Sequence, residues 1–423
     1  MAGEKLSFHA FRDPRQMQRE PAWLARLREQ ALERYRTLGL PSTRHEDWKY
    51  TNLSAVGPIE ASASPAAATA AVRPMEIDSA ARLVFVDGRL DRDRSALSSL
   101  PAGLELRSVS DSIEQVEQWI SRYPLDREDG SKALNTAYFS DGAWMNVARG
   151  ARIEKPIHVV HVTTSGRAAF SRNLIRLEPL SQATIVEEFL APEGGADSRL
   201  TSVITQMLLG QGAKATHVRF QQELGAIHLS DLFASQSADS TLESFWISLG
   251  AVIARNEVHA VLSEPNSEAR LIGLYGATGR EQVDGHTVID HASPHCRSEE
   301  VYKGIMADQS RGAFTGRIVV RKDAQKTDSR QINRNLLLSE NAVADTRPQL
   351  QIEADDVKCS HGATIGRLDE EQLYYLRSRG IGVELARKLV SRAFGGEVLD
   401  RLPEELRAAA GERFDAWLAG GKA

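Results

Sequence analysis

The sequence predicts a mainly β protein with helical ends, and three observations lead there. From about Trp144 to Ile352, short strand-like runs recur with Gly, Asn, Asp or Ser between them, and helical periodicity is almost absent. On either side of that stretch, apolar residues return at three- and four-residue spacing. The chain of 423 residues is 42 % hydrophobic and 26 % charged, enough apolar material for a large core and outside the disordered class.

The first helix is expected between Pro14 and Pro41. Trp23, Leu24, Leu27, Ala31, Tyr35 and Leu38 form one stripe, and Gly39 stands where a C-cap would. A charged and aromatic string, Arg44-His45-Glu46-Asp47-Trp48-Lys49-Tyr50, follows it. Ala61 to Ala71 has no charge and no amphipathic face and reads as a linker. Leu83 to Leu90 reads as a hairpin turning on Asp87-Gly88. Helices are expected from Ser112 to Tyr123, stopped by Pro124, and from Ser131 to Phe139.

Strands are expected at Ile157–Val162, Asn173–Leu177, Thr184–Phe189, Ser202–Leu209, Thr216–Phe220, His228–Phe233, Glu243–Leu249, Ala269–Leu274, His286–Ile289 and Phe314–Val320. A β-sandwich and a β-solenoid both fit. The stretch is long for one sandwich and lacks two-residue hairpin turns, whereas a parallel β-helix accepts any number of similar rungs and is preferred. Three helices close the chain. Asp369-Glu370-Glu371 opens the first, with acids at the positive end of its dipole, and Gly380 stops it. The second runs from Val383 to Phe394, stopped by Gly395-Gly396. The third runs from Pro403 to Leu418.

Composition excludes several functions. A net charge of −5 and a pI near 6.2 argue against a general nucleic-acid or anionic-membrane binder. Two cysteines exclude a disulfide-rich scaffold and a four-cysteine metal site built from one chain. No leader pattern or apolar run of membrane-spanning length is read, so a cytoplasmic protein is expected. With no phosphate-binding loop, this chain is expected to bind no nucleotide. It also has no Gly-x-Ser-x-Gly elbow and no His-Glu-x-x-His, and no pair of carboxylates stands out as an acid–base couple.

Three strings could carry chemistry. His286, Asp290, His291, His295 and Cys296 suit zinc or iron by residue type, and the rival enzyme reading puts a hydrolase or lyase metal on His286, His291 and Cys296. Strand alternation argues instead for a polar ladder, since adjacent His295 and Cys296 cannot both face inward. In Asp355-Asp356-Val357-Lys358-Cys359-Ser360-His361-Gly362, Cys359 and His361 are two apart. On an extended strand both project from one face, which is bidentate geometry for a soft or borderline metal, and Lys358 would help to keep a thiolate charged. Two ligands cannot close a four-coordinate site, so the rest must come from elsewhere, a partner chain being the plausible source. A buried cysteine and a capping histidine explain the same residues. Arg321 to Asn335 reads as a polar loop, whose Asn and Gln side chains bond across rungs or whose charges meet a phosphate or partner.

Six strings, in order, resemble the SufB/SufD family of iron–sulfur cluster assembly proteins: Tyr302-Lys303-Gly304-Ile305, Gln325-Lys326-Thr327-Asp328, Asn333 to Ser339, Pro348-Gln349-Leu350, Ala354 to Thr364, and Tyr374 to Ile381. Glu46 to Tyr50 and Phe85 to Arg89 extend the resemblance over nearly the whole chain, weakest from Ala55 to Arg73. The SufD type is the better match, since two cysteines count against an autonomous cluster-building subunit.

The resemblance implies a right-handed parallel β-helix between helical domains, here 1–140 with an Ala-rich linker at 55–73, 141–358, and 359–423. It implies a non-catalytic scaffold in a complex of one SufB, one SufD and two copies of SufC, an ABC-type ATPase. SufB would pair through the β-helix and SufC would dock on the C-terminal helices at Tyr374, Tyr375, Leu376, Arg379, Leu385, Leu389 and Phe394. Truncation after Gly366 is expected to remove SufC binding and leave the β-domain folded. Cys359 and His361 become candidate ligands of a transient cluster or iron shared with SufB. His361 ranks first, because an imidazole complements a partner thiolate without adding a second charge. Reduced flavin is a conceivable partner of the assembled complex, with no flavin pocket legible here. A homodimer is plausible for the isolated chain.

Overall fold

In the computed structural model the described residues are 20–53, 72–120, 129–164, 166, 168–192 and 199–420. The helix start at Pro14, the turn at Tyr123-Pro124 and nearly all of the linker at 55–73 lie outside them.

The middle of the chain winds into a parallel β-solenoid of about seven turns. Successive strands alternate between two sheets, one of ten strands and one of nine among the described residues. Each strand pairs in parallel with the strand one turn away, so register partners lie far apart in sequence: 27 residues between His217 and Ser244, 31 between Glu300 and Gln331. That spacing rules out the sandwich. Alternation sends Leu83, Val159, Ile185, Met207, Leu232 and Ile289 into one continuous interior.

The corners explain some of the polar residues. Asp239, Asn266, His295 and Lys326 all have φ between 59° and 62°, a left-handed conformation that Asp and Asn tolerate best. Each sends its backbone N–H to a carbonyl of the next corner: Asp239 to Pro265, Asn266 to Pro294, His295 to Gln325, and Lys326 to Asp356. These residues form a stacked corner column, which is why His295 lies in a turn.

The two flanking helical regions cover opposite outer faces. In the N-terminal part, α1 (Ala22–Leu38) and α2 (Gly130–Tyr138) pack with Trp48 and Leu53 over Leu174, Leu200, Ile227 and Leu229 of the nine-stranded sheet. At the other end, α3 (Glu370–Ser378), α4 (Val383–Leu399) and α5 (Glu404–Gly420) place Leu373, Val398, Leu406, Phe414 and Trp417 against Phe220, Phe245, Ile272, Ile305 and Leu336 of the ten-stranded sheet.

Several expectations need correcting. Among the described residues of 1–140, the strands Ala81–Val86 and Leu104–Ser108 stand beside the helices. The 81–90 hairpin forms on Asp87 (φ 49°) and Gly88 (φ 76°), but its first strand, Ala81–Val86, joins the solenoid beside Ile157–Val162. Of the helix expected from Ser112 to Tyr123, the described residues show α-helix at Glu117–Ile120, and its expected end lies outside them. Residues 359–367 are strand, not helix, because the last strand runs Lys358–Arg367. Arg321 to Asn335 is not one loop: Asp328–Leu337 is a strand whose Gln and Asn side chains are buried. Gly395-Gly396 do not stop α4. A Cβ on Gly395 would lie 2.4 Å from Cζ of Phe414, so this glycine lets α5 approach α4 closely.

Candidate functional site

The last turn of the solenoid leaves an open end. Val343–Ile352 and Lys358–Arg367 are the terminal strands of their sheets and pair on one side only. No strand among the described residues pairs with their outer edges, and Val343, Ile352 and Ile365 are exposed apolar side chains there.

Cys359 and His361 both belong to the Lys358–Arg367 strand. Register places Cys359 beside Ser329 and His361 beside Gln331, two residues whose side chains are buried inside the solenoid. Parallel register partners share a face, so both candidate ligands continue the inward-facing columns at the rung where the interior opens. Cys359 is half-buried and packs with Val357 against Ile318, Val320, Ala324 and Ala354. His361 is exposed. Burial, together with the charge of Asp328, pushes the Cys359 thiol above its ordinary range. The shift runs against the help expected from Lys358. Asp355 and Asp356 belong to the corner: Asp356 pairs with Lys326, and its N–H donates to Gln325 Oε1 at 3.0 Å.

Among the described residues no three of His, Cys, Asp and Glu converge to hold a metal ion. The His286–Cys296 string is dispersed. His286 faces outward, 3.5 Å from Asp47. Asp290 pairs outward with Arg321 at 2.7 Å. His291 faces inward on Ser298 Oγ at 2.8 Å, and buried Cys296 lies 3.3 Å from Ser267 Oγ. Asp290 and Cys296 tie neighbouring turns together, His286 holds the N-terminal turn, and among the described residues the rival metal site on His286, His291 and Cys296 does not form.

The C-terminal set divides by burial. Tyr374, Tyr375, Leu385 and Leu389 are 74 %, 59 %, 54 % and 44 % exposed. Arg379 stacks over Tyr375 at 5.3 Å. Leu376 and Phe394 instead pack against the core beneath.

Sequence reasoning missed two attachments. Lys303 leaves the outer face of the Arg297–Met306 strand and donates to the Phe394 carbonyl at 3.0 Å, with its ammonium 4.5 Å from the Phe394 ring centroid. Burial pulls this lysine below its ordinary range, against the opposing pull of its partner Glu397. Arg387 donates to the Leu338 carbonyl at 2.6 Å, and Arg401 pairs with Glu299 at 2.7 Å. α4 and the residues just after it therefore grip the outer face of the strands whose inner face leads to the last rung. The Tyr302-Lys303-Gly304-Ile305 string was the available signal.

The second attachment is the Glu46-Asp47-Trp48 turn. Glu46 pairs with Arg347, and Asp47 with Arg317 at 3.2 Å. Trp48 lies under the Arg255 guanidinium at 3.9 Å and donates to Asp129 at 2.9 Å. His286 and Arg317 hold the Asp47 carboxyl down to about 2. A cleft of about 570 Å³ beside this turn is lined by ion-paired side chains, including Lys132 and Glu257 at 2.7 Å.

Comparison with known proteins gives two family matches. Residues 160–394 match the SufBD core domain of the SUF iron–sulfur cluster assembly system, and residues 7–159 match the SufBD N-terminal region. The chain is 32 % identical over 393 residues to the iron–sulfur cluster assembly protein SufD of Escherichia coli, covering 89 % of each chain. It is 30 % identical over 401 residues to a SufBD family protein of Synechocystis, covering 91 % of this chain and 88 % of that one. The SufD of Bacillus subtilis is 29 % identical over 410 residues, covering 91 % of this chain and 92 % of that one. No helix among the described residues is long and apolar enough to cross a membrane.

Proposed function

We propose, from the premise that this chain belongs to the SufBD family of the SUF iron–sulfur cluster assembly system, that it is a non-catalytic scaffold lending ligands to a nascent cluster at a subunit interface. A role in iron–sulfur cluster assembly follows from the family itself. The finer reading rests on one observation: Cys359 and His361 project from one face of the terminal strand, at the open end of the solenoid, and no third ligand joins them among the described residues.

Iron and sulfide are cargo in this reading. Cys359 and His361 supply one soft and one borderline donor. A SufB-type partner pairing with the open strand edges supplies the remaining thiolate and excludes water from the site. Cys359 binds iron as the thiolate, and its proton is released on binding. His361 binds through a neutral ring nitrogen and adds no charge.

The exposed residues of α3 and α4 form the docking surface for a SufC-type ATPase. Closure of a pair of such ATPases moves α4, and Lys303, Arg387 and Arg401 pass that movement to the strands under the last rung.

Co-expression of the tagged full chain with candidate SufB and SufC, followed by mass determination of the purified complex, tests the assembly. A stable complex carrying two ATPase copies supports the scaffold reading. Failure of the three chains to associate overturns it.

A further inference from the structure

The solenoid interior beneath His361 is a polar column. Register stacks Glu300, Gln331 and His361 on consecutive strands of one sheet. Glu300 and Gln331 are fully buried. Gln331 Nε2 donates to Glu300 Oε2 at 2.5 Å. The other atom of that amide, Oε1, is buried and has no hydrogen-bond partner among the described residues. Buried amide oxygens are normally satisfied, so an unpaired one calls for a partner. The nitrogen and oxygen of a primary amide point to opposite sides. With Nε2 committed to the inner neighbour, Oε1 is left for the outer one, and the outer neighbour in the column is His361. Gly316, on the facing sheet, makes the room: a Cβ there would lie 2.0 Å from Gln331 Nε2. The neighbouring column behaves differently. It runs from Cys359 to the hydroxyls of Ser329 and Ser298, 2.7 Å apart, and a hydroxyl can donate or accept. Of the two columns beneath the candidate ligands, the one under His361 carries the acceptor of fixed sense.

We infer that Gln331 and Glu300 are positioning residues for His361: a ring N–H of His361 donates to Gln331 Oε1, and the resulting imidazole–amide–carboxyl chain fixes the tautomer that leaves the other ring nitrogen free for a metal. This rests on the reading of His361 as a ligand. Metal-binding histidines are commonly oriented in this way through their second nitrogen, and removal of that partner costs 10- to 100-fold in affinity. Neither residue touches the metal; both act through the ring.

The test uses the full chain labelled with ¹⁵N-histidine. Long-range ¹H–¹⁵N correlation reports the tautomer, and His361→Gln identifies the His361 signals. In the wild type the two ring nitrogens are expected at well-separated shifts, as in a single tautomer. Gln331→Leu should bring them toward the averaged values of free imidazole. Gln331→Glu, which keeps an acceptor oxygen, should restore the separation. Gly316→Ala is the second probe: its methyl would meet Gln331 Nε2 at 2.0 Å, with Phe314 Cε1 at 3.0 Å, and it should act like Gln331→Leu. In the complex with the SufB-type partner, Co²⁺ affinity should fall about tenfold in Gln331→Leu. Identical tautomer signals in the wild type, Gln331→Leu and Gly316→Ala would overturn the inference. If cluster assembly survives His361→Gln while the tautomer still responds to Gln331, the ligand reading fails and the positioning contact stands. If His361→Gln abolishes assembly while the tautomer ignores Gln331, the positioning inference fails alone.

Discussion

The ammonium of Lys303, on a strand of the solenoid, ends on the backbone carbonyl of Phe394 in α4, 3.0 Å away. The contact joins the helical region that carries the proposed docking surface to the strand that also holds Glu300. Lys303→Met keeps most of the apolar stem and removes the ammonium. The expected outcome is retained ATPase binding, measured by co-purification, with cluster formation in cells reduced severalfold. Unreduced cluster formation would show that α4 does not act through this lysine.

Docking is best probed by point changes. Truncation after Gly366 would uncover Phe220, Phe245, Ile272 and Leu274, which the C-terminal helices bury, and would expose an apolar face of the β-domain. Leu385→Asp with Leu389→Asp changes two exposed residues. It should abolish SufC binding in a pull-down and shift the melting temperature by no more than a surface substitution does, within about 0.5 kcal/mol.

Gly395 predicts a packing effect. Gly395→Val forces side-chain atoms into the Phe414 ring and should destabilise the protein by about 1–3 kcal/mol in denaturant titration, as overpacking does. A neutral result would mean that α4 and α5 separate easily.

Two carboxyls give opposite pH dependences. His286 and Arg317 depress the Asp47 carboxyl from 3.8 to about 2. Its contribution is present above pH 4 and is lost as pH falls from 4 to 2. Half of this side chain is exposed, so the contribution is small after solvent screening. Asp47→Asn should flatten the acid limb of the melting curve. Burial raises Glu300 from 4.5 to about 7. An acid raised in the folded state costs stability as pH climbs from 4.5 to 7. Glu300→Gln should therefore stabilise the protein at pH 8 relative to pH 5, by no more than roughly 3 kcal/mol. Melting temperatures of both variants across pH 2 to 8 check the two signs.

Much of the fold was legible because strands alternate and solenoid turns repeat. Ile157–Val162 was placed to the residue, and runs such as Glu243–Leu249 fell inside longer strands. Asp328–Leu337 carries no apolar alternation, because its inward positions are Ser329, Gln331, Asn333 and Asn335. A polar interior defeats a hydrophobicity reading, and only cross-strand register shows those side chains bonding to one another. Gly395 was misread for a related reason, since a close helix contact and a helix stop both require glycine. The two-residue spacing of Cys359 and His361 was enough to place both on one face of a strand. The thiol's raised proton affinity was not legible, because it arises from burial and from Asp328 one rung away.

The central claim is that this chain donates a ligand to a cluster built between subunits. The most direct measurement is the iron and acid-labile sulfide carried by the purified complex of this chain with SufB and SufC, prepared without air, for the wild type, His361→Ala, and Cys359→Ala with His361→Ala. The account predicts an intact complex that loses most of its iron and sulfide in His361→Ala and all of it in the double variant. Wild-type iron and sulfide in the double variant would contradict it and leave this chain a structural partner that contributes no ligand.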